Sequence, residues 1–356
     1  MKRFLGAVAV ACVAASATLG AVMDVRMSGA GATFPNPLYQ RWVTDFQKSR
    51  PDVRIDYQSI GSGGGIKAIT DKTVAFAGSD APMSKKELAA AGGEENIVEI
   101  PTCAGAVVPA YNVPGVSGDI NFSGEVLADI FLGKVSKWND PALAALNPGV
   151  NLPDLAITPA WRTDGSGTTF VFTNYLATQS PTFKRTVGLG KQVKWPIGQG
   201  GKGNEGVAAA IQGTKGAIGY IEQNYANANN IAYGAVKNAS GQFVKASAQS
   251  VSAAGDGAAA GMAGNILAAE IWNQPGDEAY PIAAFTYIVV YKDLNNLKSK
   301  AEAQALVDFL SWATTGEGQS VVSQLDYAPL GPAVQAKIAE TLGSVTYKGE
   351  ALTVGK

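Results

Sequence analysis

Histidine is absent from all 356 residues. No Ser-His-Asp or Cys-His pair can therefore form, the common His-containing zinc sites are excluded, and the commonest general base is missing. Chemistry resting on Lys, Asp or Glu stays open, but the balance tilts towards binding. Cysteine is nearly as scarce, with Cys12 and Cys103 alone. Cys12 falls in a segment read below as a signal, so Cys103 is the one thiol of a processed chain and no internal disulfide follows. With no partner base in view, Cys103 reads as a small buried residue. Charge is also thin: charged residues make up 16%, the net charge is −1, and no run of Lys or Arg occurs. The basic footprint of a nucleic-acid partner is missing. Any bound anion must be held by local groups.

What is present describes a compact globular chain rich in turns. Hydrophobic residues make up 46%, beside 42 Gly and 17 Pro, and the length favours two domains. Residues 1–21 read as a secretory signal. Lys2 and Arg3 form the positive start, Phe4 to Val13 the apolar stretch, and Ala15-Ser16-Ala17 or Ala21 a small-residue cleavage end. The apolar stretch is too short to span a bilayer comfortably, so export with cleavage is expected.

Downstream, strands and helices alternate, the pattern of α/β layering. Leu38, Trp42 and Phe46 form one stripe on a helix over 36–48, with Pro35 and Pro37 at its tolerated start. Strands are expected at 53–58, 73–78, 97–101, 104–111, 156–162, 216–222 and 280–291. Helices are expected at 64–71, 84–92, 123–132, 168–177 and 299–314, and the Ala/Gly-rich stretch 246–268 reads as helical with loops. No linker long enough to separate independent domains appears. Two lobes joined by crossing strands is one solution; a single large α/β domain is the other.

Three strand-to-helix turns share one chemical character: Gly31-Ala32-Thr33-Phe34-Pro35, Gly61-Ser62-Gly63-Gly64-Gly65, and Arg162-Thr163-Asp164-Gly165-Ser166-Gly167-Thr168-Thr169. Helix N-termini present free N–H groups and partial positive charge, which suit anions. Glycine allows close approach, and hydroxyls add donors. Singly, each turn has a plain explanation, since Ser62, Ser166 or Thr168 could simply cap a helix. Three together, with an Arg beside one, favour an anion site. The dinucleotide-like spacings Gly63-x-Gly65-x-x-Ala68 and Gly198-x-Gly200-x-x-Gly203 are weak in a chain this rich in glycine, and Pro196 is a poor end for a central strand. No cofactor and no metal are expected, and the glycines of 198–204 receive no role.

These segments carry a resemblance. GAGATFP (29–35), IGSGGG (60–65), GSDAPMS (78–84), FLGKVSKWND (131–140), RTDGSGTTFVFTNYL (162–176), VKWPIGQGGKGN (193–204) and GAIGYIE (216–222) occur in one order along the chain. Together they resemble the periplasmic phosphate-binding proteins of bacterial phosphate ABC transporters. The resemblance implies an α/β, two-lobed periplasmic-binding-protein-like (type II) fold with the ligand cleft between lobes at 24–106 plus 284–356 and 107–283. It implies phosphate held by Thr33, Phe34, Ser62, Asp80, Arg162, Ser166, Gly167 and Thr168, with Asp164 supporting the Arg. Gly63 stands where relatives often have a second Ser. The implied partners are inorganic phosphate and the inner-membrane permease subunits, for a monomer in the periplasm without enzymatic turnover. A phosphatase or other phosphoryl-handling enzyme on the same scaffold is the alternative.

Overall fold

The computed structural model describes residues 25–116 and 119–355; the signal read at 1–21 lies outside them. Two sets of parallel strands are joined by one long strand. The first set holds β1 (Val25–Gly31), β2 (Val53–Ser59) and β3 (Phe76–Ser79), with β1 parallel to both neighbours. The second holds β5 (Thr158–Arg162), β6 (Gln199–Gly201) and β7 (Ala217–Glu222), with β5 parallel to both. Between them lie β4 (Ile97–Tyr111) and β8 (Ala283–Tyr291), antiparallel to each other. The order across the sheet is β2-β1-β3-β8-β4-β7-β5-β6.

Strand β4 is the structural hinge of this arrangement. Residues Ile97 to Ala106 pair with β8, and Val107 to Tyr111 pair with β7. The sequence splits this stretch at Pro101-Thr102-Cys103, yet all 15 residues form one buried strand. A bulge absorbs the interruption: Thr286 faces Cys103 while Tyr287 faces Pro101, leaving Thr102 as the extra residue. A proline with no N–H is tolerated at such a place.

Each half has its own aromatic core. In the first, helix α1 (Asn36–Ser49) packs on β2 and buries Leu38, Trp42 and Phe46, all three at most 3% exposed. Phe46 meets Phe309 of α5 (Lys300–Thr315) edge-on, and Tyr39 meets Tyr57 likewise. In the second, Phe172 of α3 (Gly167–Gln179) stacks on Tyr220 at 4.5 Å, and Phe131 and Trp195 close over that pair. Each such ring contributes on the order of 1.5–3 kcal/mol by leaving water, so each half has the means to hold its strand ends in place.

Most other expected elements are found within a few residues of where the sequence puts them. The third strand is shorter than expected, starting at Phe76 because Thr73 and Val74 belong to the preceding turn. The stretch 246–268 is helical with loops, as expected: Ala248–Gly255 is α-helix and Ala258–Gly261 a 3-10 turn, and its glycines favour turns over helix propagation. Tyr280 lies outside β8, and Pro281 and Ile282 precede it as turn.

Candidate functional site

All parallel strands of one half end at the same edge, and this is where ligands sit in open α/β sheets. Both sets point their carboxyl ends into the space between the halves. β1 leads to Thr33 and Phe34, β2 to Ser62, and β3 to Asp80. From the other side, β5 ends at Arg162 and leads to Ser166, Gly167 and Thr168. The structure brings all eight of these residues together with Asp164. Thr33, Phe34, Ser62, Asp80, Arg162, Ser166 and Thr168 are buried.

Ser62 opens helix α2 (Ser62–Thr70), whose N-cap is Gly61 with φ of 84°. Its side chain does not cap that helix. Its Oγ instead accepts from the amide of Asp80 (3.2 Å) and, across the cleft, from the amide of Gly167 (3.1 Å). Gly167 is needed here, because a Cβ on it would stand 2.5 Å from both Ser62 Oγ and Asp80 Oδ2. Gly61 faces Asp164 equally closely. Ser166 does what the plain reading expected and caps α3 by accepting from the Thr169 amide. The amides of Ser62 and Thr168 lie in first turns, where the helix offers them no carbonyl.

Arg162 is the one guanidinium in this wall. It donates from Nε to Asp164 Oδ1 (2.8 Å) and from Nη2 to Oδ2 (2.6 Å), a two-point pairing with both side chains shielded. Nη1 reaches Thr168 Oγ1 at 3.3 Å. Tyr220 of β7 holds the backbone behind it, its hydroxyl accepting from the Arg162 amide at 3.0 Å. Burial alone would raise the Asp164 carboxyl; the Arg162 bonds and the Gly203 amide outweigh it and hold that carboxyl below its ordinary value.

Asp80 has the opposite fate. It is 3% exposed, and among the described residues no cation pairs with it directly; Thr286 donates to Oδ1 at 2.8 Å, and Ser62 stands 3.4 Å from Oδ2. Burial pushes its carboxyl up to about 7 against the pull of Thr286, Arg162 and Ser62.

Three contributors were not anticipated from the sequence. Asn204, in the first turn of α4 (Gly203–Gly213), donates to Thr33 Oγ1 (2.7 Å) and Thr168 Oγ1 (3.4 Å), bridging the two walls. Its carbonyl accepts from the Glu222 amide. The signal was visible: strand β6 running through glycines into a helix repeats the chemistry of the other turns. Tyr225, which donates to the Thr33 carbonyl at 2.6 Å, and Thr286 carry no local sequence signal. Among the described residues no group of three or more His, Cys, Asp or Glu is placed to hold a metal ion, and no helix is long and apolar enough to cross a membrane. Cys103 is buried and its thiol is pushed well up by burial.

Such an arrangement can hold a tetrahedral oxyanion: amides, hydroxyls and a guanidinium take up charge, and one carboxylate stands ready to accept a hydrogen. Comparisons with known proteins agree. The PBP superfamily domain matches residues 14–317. The phosphate-binding protein PstS of Pasteurella multocida is 47% identical over 88% of each chain. That of Haemophilus influenzae is 44% identical over 85% of this chain and 88% of its own. In fold, the chain is similar to the crystal structure of a phosphate-binding protein from Stenotrophomonas maltophilia, with a TM-score of 0.66 at 22% identity over 88% of this chain and 92% of that one. The chain therefore belongs to the PstS family of phosphate-binding proteins, within the PBP superfamily, and has its two-lobed α/β fold.

Proposed function

We propose that this chain is an exported solute-binding protein that captures inorganic phosphate between its two lobes and delivers it to the inner-membrane subunits of an ABC import permease. The lobes comprise 24–106 plus 284–356 and 107–283; the change of partner along β4 between Ala106 and Val107 supports that division. We place the protein in the periplasm, as a monomer that binds its ligand without turning it over. Thr33, Phe34, Ser62, Asp80, Arg162, Ser166, Gly167 and Thr168 contact the anion, and Asp164 fixes the guanidinium.

The observation that carries this reading is Asp80. A buried carboxylate beside an anion is repulsive unless the anion offers an O–H. Phosphate near neutral pH has one, whereas fully ionised sulfate has none and would face an unpaired, desolvated carboxylate. Charge-assisted hydrogen bonds contribute roughly 1.5–3 kcal/mol each. A handful exceeds the ~8 kcal/mol of micromolar binding, and stripping water from the anion and closing the lobes absorb the remainder.

Titration calorimetry with phosphate, sulfate, arsenate and nucleotides tests this. Phosphate is expected at roughly micromolar affinity or tighter, with sulfate weaker by at least about a hundredfold. In Asp80→Asn the preference should shrink more than phosphate affinity does. Equal affinity for sulfate and phosphate in the unaltered protein would end the reading.

A further inference from the structure

We propose that Thr286 is a positioning residue that fixes Asp80 as a hydrogen-bond acceptor and thereby sets the preference of the site for a protonated over a fully ionised tetrahedral anion. The inference rests on the phosphate reading above and deepens it.

The fold brings the two residues together from distant parts of the chain. In the antiparallel pairing of β3 with β8, Tyr287 lies opposite Ser79, so Thr286 meets Asp80 at the next step. Thr286 is fully buried, and its Oγ1 donates to Asp80 Oδ1 at 2.8 Å. The backbone behind it is held as well. Thr102, the extra residue of the β4 bulge, donates its hydroxyl to the Thr286 carbonyl at 3.1 Å. That spends the Thr102 hydrogen, so the buried Tyr39 hydroxyl, 2.9 Å away, is the donor to Thr102. Bulges re-aim side chains beside functional sites; this one lies directly across from Thr286.

The consequence is an asymmetric carboxylate. One oxygen, Oδ1, is engaged by the buried Thr286 hydroxyl. The other, Oδ2, lies over Gly167 and Ser62 at the meeting of the walls. A hydroxyl that donates to a carboxylate favours its ionised form, and of the groups around Asp80 the Thr286 bond opposes the effect of burial most strongly. Without it the carboxyl takes up a proton more readily. A neutral carboxyl donates where an ionised one accepts, so the site would then accommodate sulfate. The other titratable and charged groups facing Asp80 are Arg162 and Asp164 on the opposite wall, Glu222 at the end of β7, the phenols of Tyr39, Tyr57 and Tyr287, and the Cys103 thiol. Burial pushes the phenols, the thiol and Glu222 above their ordinary values. All of them are present in every variant below, and Tyr39, which Thr286 also faces, stays protonated throughout the range tested, so differences between variants report on Asp80.

Calorimetry with inorganic phosphate and with sulfate, from roughly pH 5 to pH 9, on the full chain and on Thr286→Val, Thr286→Ala and Thr286→Ser tests this. In the unaltered protein the phosphate-over-sulfate ratio should collapse as pH falls and Asp80 is neutralised. Valine and alanine should move that collapse upward by roughly one to two pH units, with the ratio near pH 7 down by about tenfold or more. Towards pH 9 the difference should narrow, and serine should restore the original profile. In an Asp80→Asn background, Thr286→Val should change the ratio no further. Two variants at Thr286 guard against one of them failing to fold, which circular dichroism reveals. An unchanged ratio and midpoint in a folded variant would overturn the role of Thr286 and leave the phosphate reading standing. So would a loss equal at every pH that serine does not restore, or a loss that persists in Asp80→Asn. If the unaltered chain shows no preference for phosphate, both readings fall together.

Discussion

The two walls of the cleft each bring one aspartate to the same small space, and the two are treated in opposite ways. On the second wall, Asp164 is bound at both oxygens by Arg162 and held ionised. On the first wall, Asp80 is buried more deeply, has no direct cation among the described residues, and is pushed up to about 7. The difference teaches that acidity at this site is assigned by strand-end geometry and not by residue type. Asp164 spends its charge on aiming a guanidinium; Asp80 keeps a lone pair for an incoming O–H. The sharpest way to break this contrast is Arg162→Ala. It removes the main positive charge and leaves Asp164 unpaired beside the anion. Breaking a buried pair costs about 3–5 kcal/mol, so calorimetry should show phosphate affinity lower by roughly two to three orders of magnitude. A variant within tenfold of the unaltered protein would mean that amides and hydroxyls alone hold the anion, and the second wall would lose its assigned part.

The same contrast fixes the sign of the pH dependence of the empty protein. Asp80, Glu99 (up to about 8) and Glu222 all have carboxyls raised by burial. Above their ordinary values the unfolded chain gives up these protons while the folded chain keeps them, so stability falls as pH rises from about 4 to about 8. Asp164 works the other way: its contribution is present above the ordinary aspartate value and is lost as pH falls through the depressed one. Asp80→Asn removes one group from the first class. The rise from 3.8 to about 7 sets an upper limit of roughly 4 kcal/mol, and an opened cleft rehydrates the carboxyl and reduces it. Without phosphate, the variant should melt several degrees higher at pH 8 and by less than half as much at pH 5. Equal shifts at both pH values would show that Asp80 is not strained by ionisation.

The strand ends of the two walls were more legible than the joint between the walls. Thr33, Ser62, Asp80 and Arg162 each stand at the end of a short strand beside glycine, so local pattern and resemblance point to them. Asn204 was missed because its partners, Thr33 and Thr168, lie 171 and 36 residues away, and the glycines before it also read as ordinary turn chemistry. Thr286 is a single polar residue inside the apolar run Ala283–Tyr291 and is indistinguishable there from an ordinary β-branched strand residue. The continuity of β4 was hidden by Pro101, since a proline reads as a strand boundary until the bulge at Thr102 is seen. What stayed out of reach is long-range pairing: the strand partners of β4 and β8 decide it, and no window of sequence contains both.

The weakest expected effect lies at the cleft edge, where the walls meet a second time. Lys191 of the second half places Nζ 2.6 and 2.7 Å from the two carboxyl oxygens of Glu87, in the helix Lys85–Ala90 of the first. Burial would raise Glu87, and Lys191 with the Ser84 bonds holds it below its ordinary value. The pair is about a fifth to a quarter exposed, so water and salt screen it and its worth is about 1 kcal/mol at most. Its side-chain pairing lies outside the anion site, although the Lys191 carbonyl accepts from the Ser166 amide at 2.8 Å, and it spans two halves that must part before a ligand can leave. Lys191→Met should therefore leave phosphate-over-sulfate preference unchanged and speed phosphate release by a few-fold at most. Stopped-flow release at low salt reads this, and raising salt should bring the unaltered protein towards the variant because the charges are already screened there. A release rate independent of both the substitution and salt would show that closure is held by the anion site alone, and that the contrast between Asp80 and Asp164 governs both which anion enters and how long it stays.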